Sequence, residues 1–154
     1  MMYYSRVLIV NNFMNRVIRY LLCFLPCAFV FGCSKPAEPM HPVAGSVRFN
    51  GKPLHKGDIV FVPDAAKGNP HLEFGIGKLD ALGKYEIQTF KKEGVKPGWY
   101  KVMVLASENE PEANLAWVPI WIVPERYTKP ETTKLAIEVV ANPTPNCYDL
   151  VIEP

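Results

Sequence analysis

Four cysteines and three histidines offer most of the reactive chemistry in this chain: thiolates for nucleophilic attack, redox pairing or zinc, imidazoles for metal binding or proton transfer. Their spacing narrows the choice. His41, His55 and His71 follow no metal-ligand spacing and no His-x-x-Glu pair occurs, so they are expected to be exposed structural histidines and neither a zinc nor a copper site is expected. Neither Ser-His-Asp nor Cys-His catalysis has a local signature, and Cys147, beside the last expected strand with no histidine near it in sequence, reads as a buried, inert thiol. Cys33 is different, because it stands at an abrupt change of composition. The apolar run from Tyr20 to Gly32, which also holds Cys23 and Cys27, ends there, and the polar, proline-rich stretch Ser34-Lys-Pro-Ala-Glu-Pro-Met-His-Pro42 begins.

Arg16 and Arg19, a short apolar stretch and a small residue before the break make the three-part pattern of a secretory signal. The run from Tyr20 to Gly32 is shorter than the ~20 residues a spanning helix needs. Translation from Met14 would give a compact basic start, Met-Asn-Arg-Val-Ile-Arg, and residues 1–13 then read as an upstream extension. Val30-Phe31-Gly32-Cys33 resembles the lipobox of bacterial lipoproteins, although Phe31 is larger than the residue usual at that position. The resemblance implies removal of residues 1–32, a diacylglyceryl thioether on Cys33 with further acyl chains such as palmitate, and a membrane as the first partner. Ser34 after the cysteine, where Asp would signal retention, implies the outer membrane rather than the inner one.

Taking residues 1–32 away changes the charge. Arg6, Arg16 and Arg19 precede Cys33 and every acidic residue follows it, so the mature chain is close to neutral and offers no sustained basic footprint for nucleic acid. With Cys23 and Cys27 gone and Cys33 alkylated, Cys147 is alone. A disulfide framework and a zinc site of paired cysteines are both excluded. What is left is the size of one domain, and its stability must come from a hydrophobic core.

The elements that must build that core have period two. Residues 33–42 read as a lipidated cysteine and an extended tether, and 43–154 as one β domain. Val47 and Phe49 alternate ahead of the hairpin signal Asn50-Gly51; Ile59-Val-Phe-Val62 is apolar on both parities and reads as a central strand; Leu72, Phe74 and Ile76 alternate around Gly75 and Gly77. Asp80-Ala-Leu-Gly83 turns into Tyr85–Thr89, with Glu86 and Gln88 outward, and Lys96-Pro-Gly98 turns into Trp99–Leu105, with Tyr100, Val102 and Val104 on one parity. Leu135, Ile137 and Val139, then Tyr148, Leu150 and Ile152, complete seven strands. Seven short strands with turns rich in Gly, Pro and Asn and no crossover helices predict an all-β, two-sheet antiparallel β-sandwich.

Pro42-Val-Ala-Gly45-Ser-Val47, Phe61-Val-Pro63, Asp80-Ala-Leu-Gly83-Lys-Tyr85 and Lys96-Pro-Gly98-Trp-Tyr-Lys-Val102 together resemble the carboxypeptidase-regulatory-like, transthyretin-like domain. The stretch from Val123 to Leu135 resembles the tail of small planctomycete lipoproteins of this type, with Thr133-Lys134 in place of the Ser-Gly usual there. The resemblance implies a fold and an envelope location. It carries no catalytic residues and no cofactor, since the regulatory-like domain accompanies metal carboxypeptidases without holding their ligands. Hydroxyisourate hydrolase, a transthyretin-related enzyme, ends in Tyr-Arg-Gly-Ser, whereas this chain ends Tyr148-Asp-Leu-Val-Ile-Glu-Pro154.

One segment is long enough to do something beyond connecting strands. The stretch from Ala106 to Pro130 contains Trp117, Trp121 and Tyr127, a set that could meet an envelope protein or glycan or could pack as an edge over the sandwich rim. The sequence therefore predicts a lipid-anchored, non-enzymatic envelope module. Its alternative is a small-ligand carrier or weak hydrolase with a cleft near the tryptophan loop.

Overall fold

The computed structural model describes residues 38–110 and 116–154. Cys33, Cys23, Cys27 and the first part of the tether lie outside the described residues. Ala44–Phe49 (β1) and Lys52–Pro53 (β2) form the hairpin that Asn50-Gly51 predicts, with Asn50 at φ 52° and Gly51 at φ 75°, the left-handed pair that a two-residue hairpin turn requires. Asp58–Pro63 (β3), Gly75–Lys78 (β4), Lys84–Glu86 (β5), Gln88–Thr89 (β6), Lys92–Glu93 (β7), Gly98–Leu105 (β8), Ala136–Val139 (β9) and Leu150–Ile152 (β10) follow.

The strands make an all-β structure of two sheets. One has six antiparallel strands in the order β7-β6-β4-β3-β8-β9; the other contains β10, β1 and β2, with β5 paired to the first half of β1. A single core cluster draws on both sheets: Val47, Tyr85 and Leu150 from one, Ile59, Phe61, Tyr100, Val102, Val104 and Val139 from the other. Tyr100, Val102 and Val104 face inward together, as their parity predicts. At the centre, Phe61 tilts against Tyr100 with ring centroids 5.8 Å apart and against Tyr85 at 6.3 Å, arrangements that aromatic quadrupoles favour over face-to-face stacking. β3 sits between β4 and β8, and Ile59, Val60 and Phe61 are all buried, in keeping with a central strand apolar on both parities.

The described residues form ten strands and not the expected seven, because β2 and β7 are additional and Tyr85–Thr89 divides into β5 and β6. Four further expectations are corrected. The pairing is not wholly antiparallel: β10 lies parallel to β1, with Val47 opposite Leu150 and Phe49 opposite Ile152. A parallel neighbour requires a long connection, and here the rest of the domain lies between the two. The expected continuous strand Tyr85–Thr89 is broken. β5 belongs to β1's sheet and β6 to the six-stranded sheet, so the chain changes sheets at Ile87, whose side chain is buried between them.

The third correction is one of parity. Leu72, Phe74 and Ile76 face solvent, the last two 52% and 44% exposed, while Gly75 and Gly77 face inward. A β-carbon on Gly75 would collide with Ile87 Cγ2 and lie 2.5 Å from Val95 Cγ1; one on Gly77 would collide with the Glu86 carbonyl oxygen and lie 3.0 Å from Ile87 Cδ1. The crossing segment passes too close to β4 for any side chain on that parity, so the apolar residues take the other face. The fourth concerns Cys147, which is exposed. Tyr148, Leu150 and Ile152 take the inward parity of the last strand, which puts Cys147, Asp149 and Val151 outside.

The part of the expected tether that is described, from Glu38 on, is held to the domain. His41 exchanges backbone hydrogen bonds with Val95 at 2.8 and 3.2 Å, and the Glu38 carboxylate lies 3.2 Å from His71 Nε2. His41 and His71 are half-buried and only His55 is exposed.

Replacing either inward glycine should therefore be costly. Gly75→Val is expected to destabilise the domain by at least about 2 kcal/mol, the upper range for overpacking, read as a fall in urea midpoint at constant m. Ile76→Val on the outer face should change it little. An unchanged midpoint in Gly75→Val would refute the close approach.

Candidate functional site

β8 gives the domain two ends. At its start, the Trp99 carbonyl accepts from the Asp64 backbone N–H at 2.9 Å and from Asn69 Nδ2 at 2.7 Å, which pins the segment running on to His71, where Glu38 is paired. At its far end, seven residues on and thus roughly 23 Å away at strand rise, the ladder continues past Leu105 into the tryptophan segment. Ile122 N–H donates to the Ala106 carbonyl at 2.9 Å, Ser107 bridges Trp121, and Glu108 N–H donates to the Ile120 carbonyl at 2.8 Å.

Asn109 then closes the finger. Its amide nitrogen donates to the Val118 carbonyl and its Oδ1 accepts from Ile120 N–H, both at 2.8 Å. Ser107 Oγ donates to the Asn109 carbonyl at 2.8 Å, and Lys56 Nζ to the Glu108 carbonyl at 2.8 Å. Each contact satisfies a backbone group that a loop would otherwise leave to water. Trp121 is half-buried and meets Trp117 edge to face, ring centroids 6.3 Å apart. Trp117 remains 39% exposed, Val118 74% and Ile120 57%. Trp121 thus packs on the rim, while Trp117 keeps part of its ring exposed.

Tyr127 does not join them. It is buried in the core, its ring lies under the Arg126 guanidinium at 4.8 Å, and its hydroxyl accepts from Glu153 N–H at 3.3 Å. A tyrosine so placed holds the C-terminus and is withdrawn from any partner, which corrects its assignment as a contact residue. Val118 and Ile120 belong to the segment the sequence singles out, whereas the bracing role of Asn109 is not apparent from it. The signal available was the polar Asn109 in the segment that returns to Val118-Pro-Ile120, a pattern ambiguous without the fold.

A cleft lies elsewhere on the domain. A space of about 710 Å³ opens where the chain changes sheets, lined by Ser46, Ile76, Lys78, Asp80, Lys84 and Asp149 among others, with no residue of the tryptophan segment. Several of its polar groups are engaged within the domain. Ser46 N–H and Oγ both donate to Asp149 Oδ1, at 2.7 and 3.0 Å, and Asp80 Oδ1 accepts from the N–H groups of Leu82 and Lys84, both at 2.8 Å. No histidine or cysteine lines it. Among the described residues no three His, Cys, Asp or Glu converge as a metal would need, and no helix is long and apolar enough to cross a membrane.

The floor of the cleft is Tyr85, whose hydroxyl donates to the Tyr148 carbonyl at 2.5 Å. Burial, with a smaller contribution from Asp149, pushes its phenol well above the ordinary value of 10.0. No protein-family model, curated protein or solved structure matches this chain.

Tyr85→Phe should cost about 1–3 kcal/mol, because it leaves the buried Tyr148 carbonyl without a donor. The pH dependence has a definite sign. Folded Tyr85 keeps its proton while the unfolded chain ionises near pH 10, so its contribution is complete below pH 10 and is lost as pH rises beyond it. Urea melts between pH 8 and 11 should show a steeper alkaline loss in the parent than in Tyr85→Phe; equal slopes would refute it.

Proposed function

We propose that this protein is a lipid-anchored cell-envelope module with a transthyretin-like β-sandwich domain, held through acyl chains on Cys33, and that it acts by contact rather than catalysis. The observation that carries this reading is the braced finger Trp117-Val118-Pro119-Ile120. Three apolar side chains are held in water by hydrogen bonds from Asn109 at the end of the domain opposite Glu38, the described residue nearest the anchor cysteine in sequence. Aromatic residues on a rigid mount are what interface centres use, since little conformational entropy is left to lose on binding. The partner is an envelope protein or glycan, and the membrane is the outer one.

A second reading rests on the cleft at the sheet change. With both signs of charge and about 710 Å³, it suits a small polar metabolite, which would make the protein a carrier. Weak hydrolysis of the transthyretin-related kind fits less well, because the Ser46 hydroxyl is directed to Asp149 and no histidine adjoins it.

In cells making the full chain, Trp117→Ala combined with Val118→Ser should abolish an identified envelope crosslink while lowering the stability of the domain by no more than about 1.5 kcal/mol, the scale of the lost Trp117–Trp121 contact. Cys33→Ser should move the protein out of the membrane fraction. An undiminished crosslink would overturn the finger as the contact. Stabilisation by a polar metabolite, lost in Lys84→Ala, would favour the carrier.

A further inference from the structure

The end of the domain nearest Glu38 carries an apolar and basic rim that the tryptophan finger does not explain. β4 and β6 pair antiparallel with Ile76 opposite Gln88, so Phe74, two residues before Ile76, and Phe90, two residues after Gln88, reach the same end of the sheet. That end is the Gly98 end of β8, because Gly75 pairs with Phe61 and Phe61 with Val102. Leu72 is 92% exposed there and Phe90 79%, and Lys91 and Lys92 follow Phe90, both exposed. The nearby acids Glu38 and Glu73 are already paired, with His71 and Lys96; Glu93 lies back from the tip, opposite Gln88.

The turn that presents Phe90 is strained. Phe90 has φ 48° and Lys91 φ 65°, close to the 52° and 75° of Asn50 and Gly51. The same turn is thus made once from the residues that tolerate it and once from a bulky aromatic and a lysine, for which left-handed backbone is unfavourable. With Phe90 largely exposed, no core packing offsets that strain, and strain of this kind collects at contact sites.

Resting on the lipid-anchor reading above, we propose that this rim lies against the bilayer, with Phe90 and Leu72 in the interfacial layer and Lys91 and Lys92 over anionic headgroups. The occupant follows from the chain. Cys33 is five residues before Glu38, a stretch that spans no more than about 18 Å when fully extended. An acylated Cys33 therefore holds this end of the domain at the membrane surface, and an aromatic followed by two lysines is the chemistry that interface accepts. The attachment becomes two-point, and it aims the tryptophan finger away from the membrane.

The test uses the full, acylated chain in vesicles of phosphatidylethanolamine and phosphatidylglycerol, with a benzoylphenylalanine photoprobe replacing Phe90, Leu72 or Val118. Acylation of Cys33 is measured by mass on the same samples. Lipid adducts several-fold more abundant from positions 90 and 72 than from 118, and reduced from position 90 by Lys91→Glu with Lys92→Glu, are expected. Acylated protein with equal or no lipid adducts at the three positions would overturn the rim while leaving the anchor intact. Protein without an acyl group would overturn the anchor, and the rim with it.

Discussion

The structure depends on how closely the chain passes β4 where it changes sheets. Ile87 and Val95 reach into the space where Gly75 and Gly77 have no side chains, and the Glu86 carbonyl lies against Gly77. Backbone and side chains at that distance leave the inward parity of β4 open to glycine alone. One core can then be shared between β3, β4 and β8 on one side and β1 and β5 on the other. The cleft lined by Gly77, Ser46 and Asp149 opens beside this crossing.

The same constraint shapes the surface. With glycines inside, Phe74 and Ile76 are placed outside, and the β6–β7 hairpin brings Phe90 to the end where Phe74 emerges. At the opposite end, the continuation of β8 carries Trp117, Val118 and Ile120 on a ladder closed by Asn109. Two apolar surfaces thus sit at opposite ends of one sheet, each held by backbone hydrogen bonding. If the proposed anchor holds the domain near one of them, the other faces away from the membrane.

Much of the fold was legible because period two is a local signal. The inward stripe Tyr100, Val102 and Val104, the Asn50-Gly51 turn, the outward Glu86 and Gln88, and the central position of Ile59–Val62 all follow from alternation and turn chemistry. Where alternation misled, tertiary contact decided. Around Gly75 the apolar residues looked like the buried set, and only the proximity of Ile87 reverses them. Cys147 was legible and misjudged, since the parity of Tyr148, Leu150 and Ile152 already puts it outside. Parallel pairing of β10 with β1 leaves no trace in either strand's own sequence. Of the site residues, Trp117 and Trp121 stand out by composition, Tyr127 is a core residue that composition cannot distinguish from a contact, and Asn109 becomes meaningful only once the ladder is known.

The proposed anchor requires Cys33 to be the first residue of a mature, acylated chain. The most direct measurement is the mass of the N-terminal peptide of the protein extracted from membranes of cells expressing residues 1–154. The account predicts a peptide beginning at Cys33 and carrying a diacylglyceryl thioether. A peptide that runs through Gly32 into Cys33 with a free thiol would contradict it.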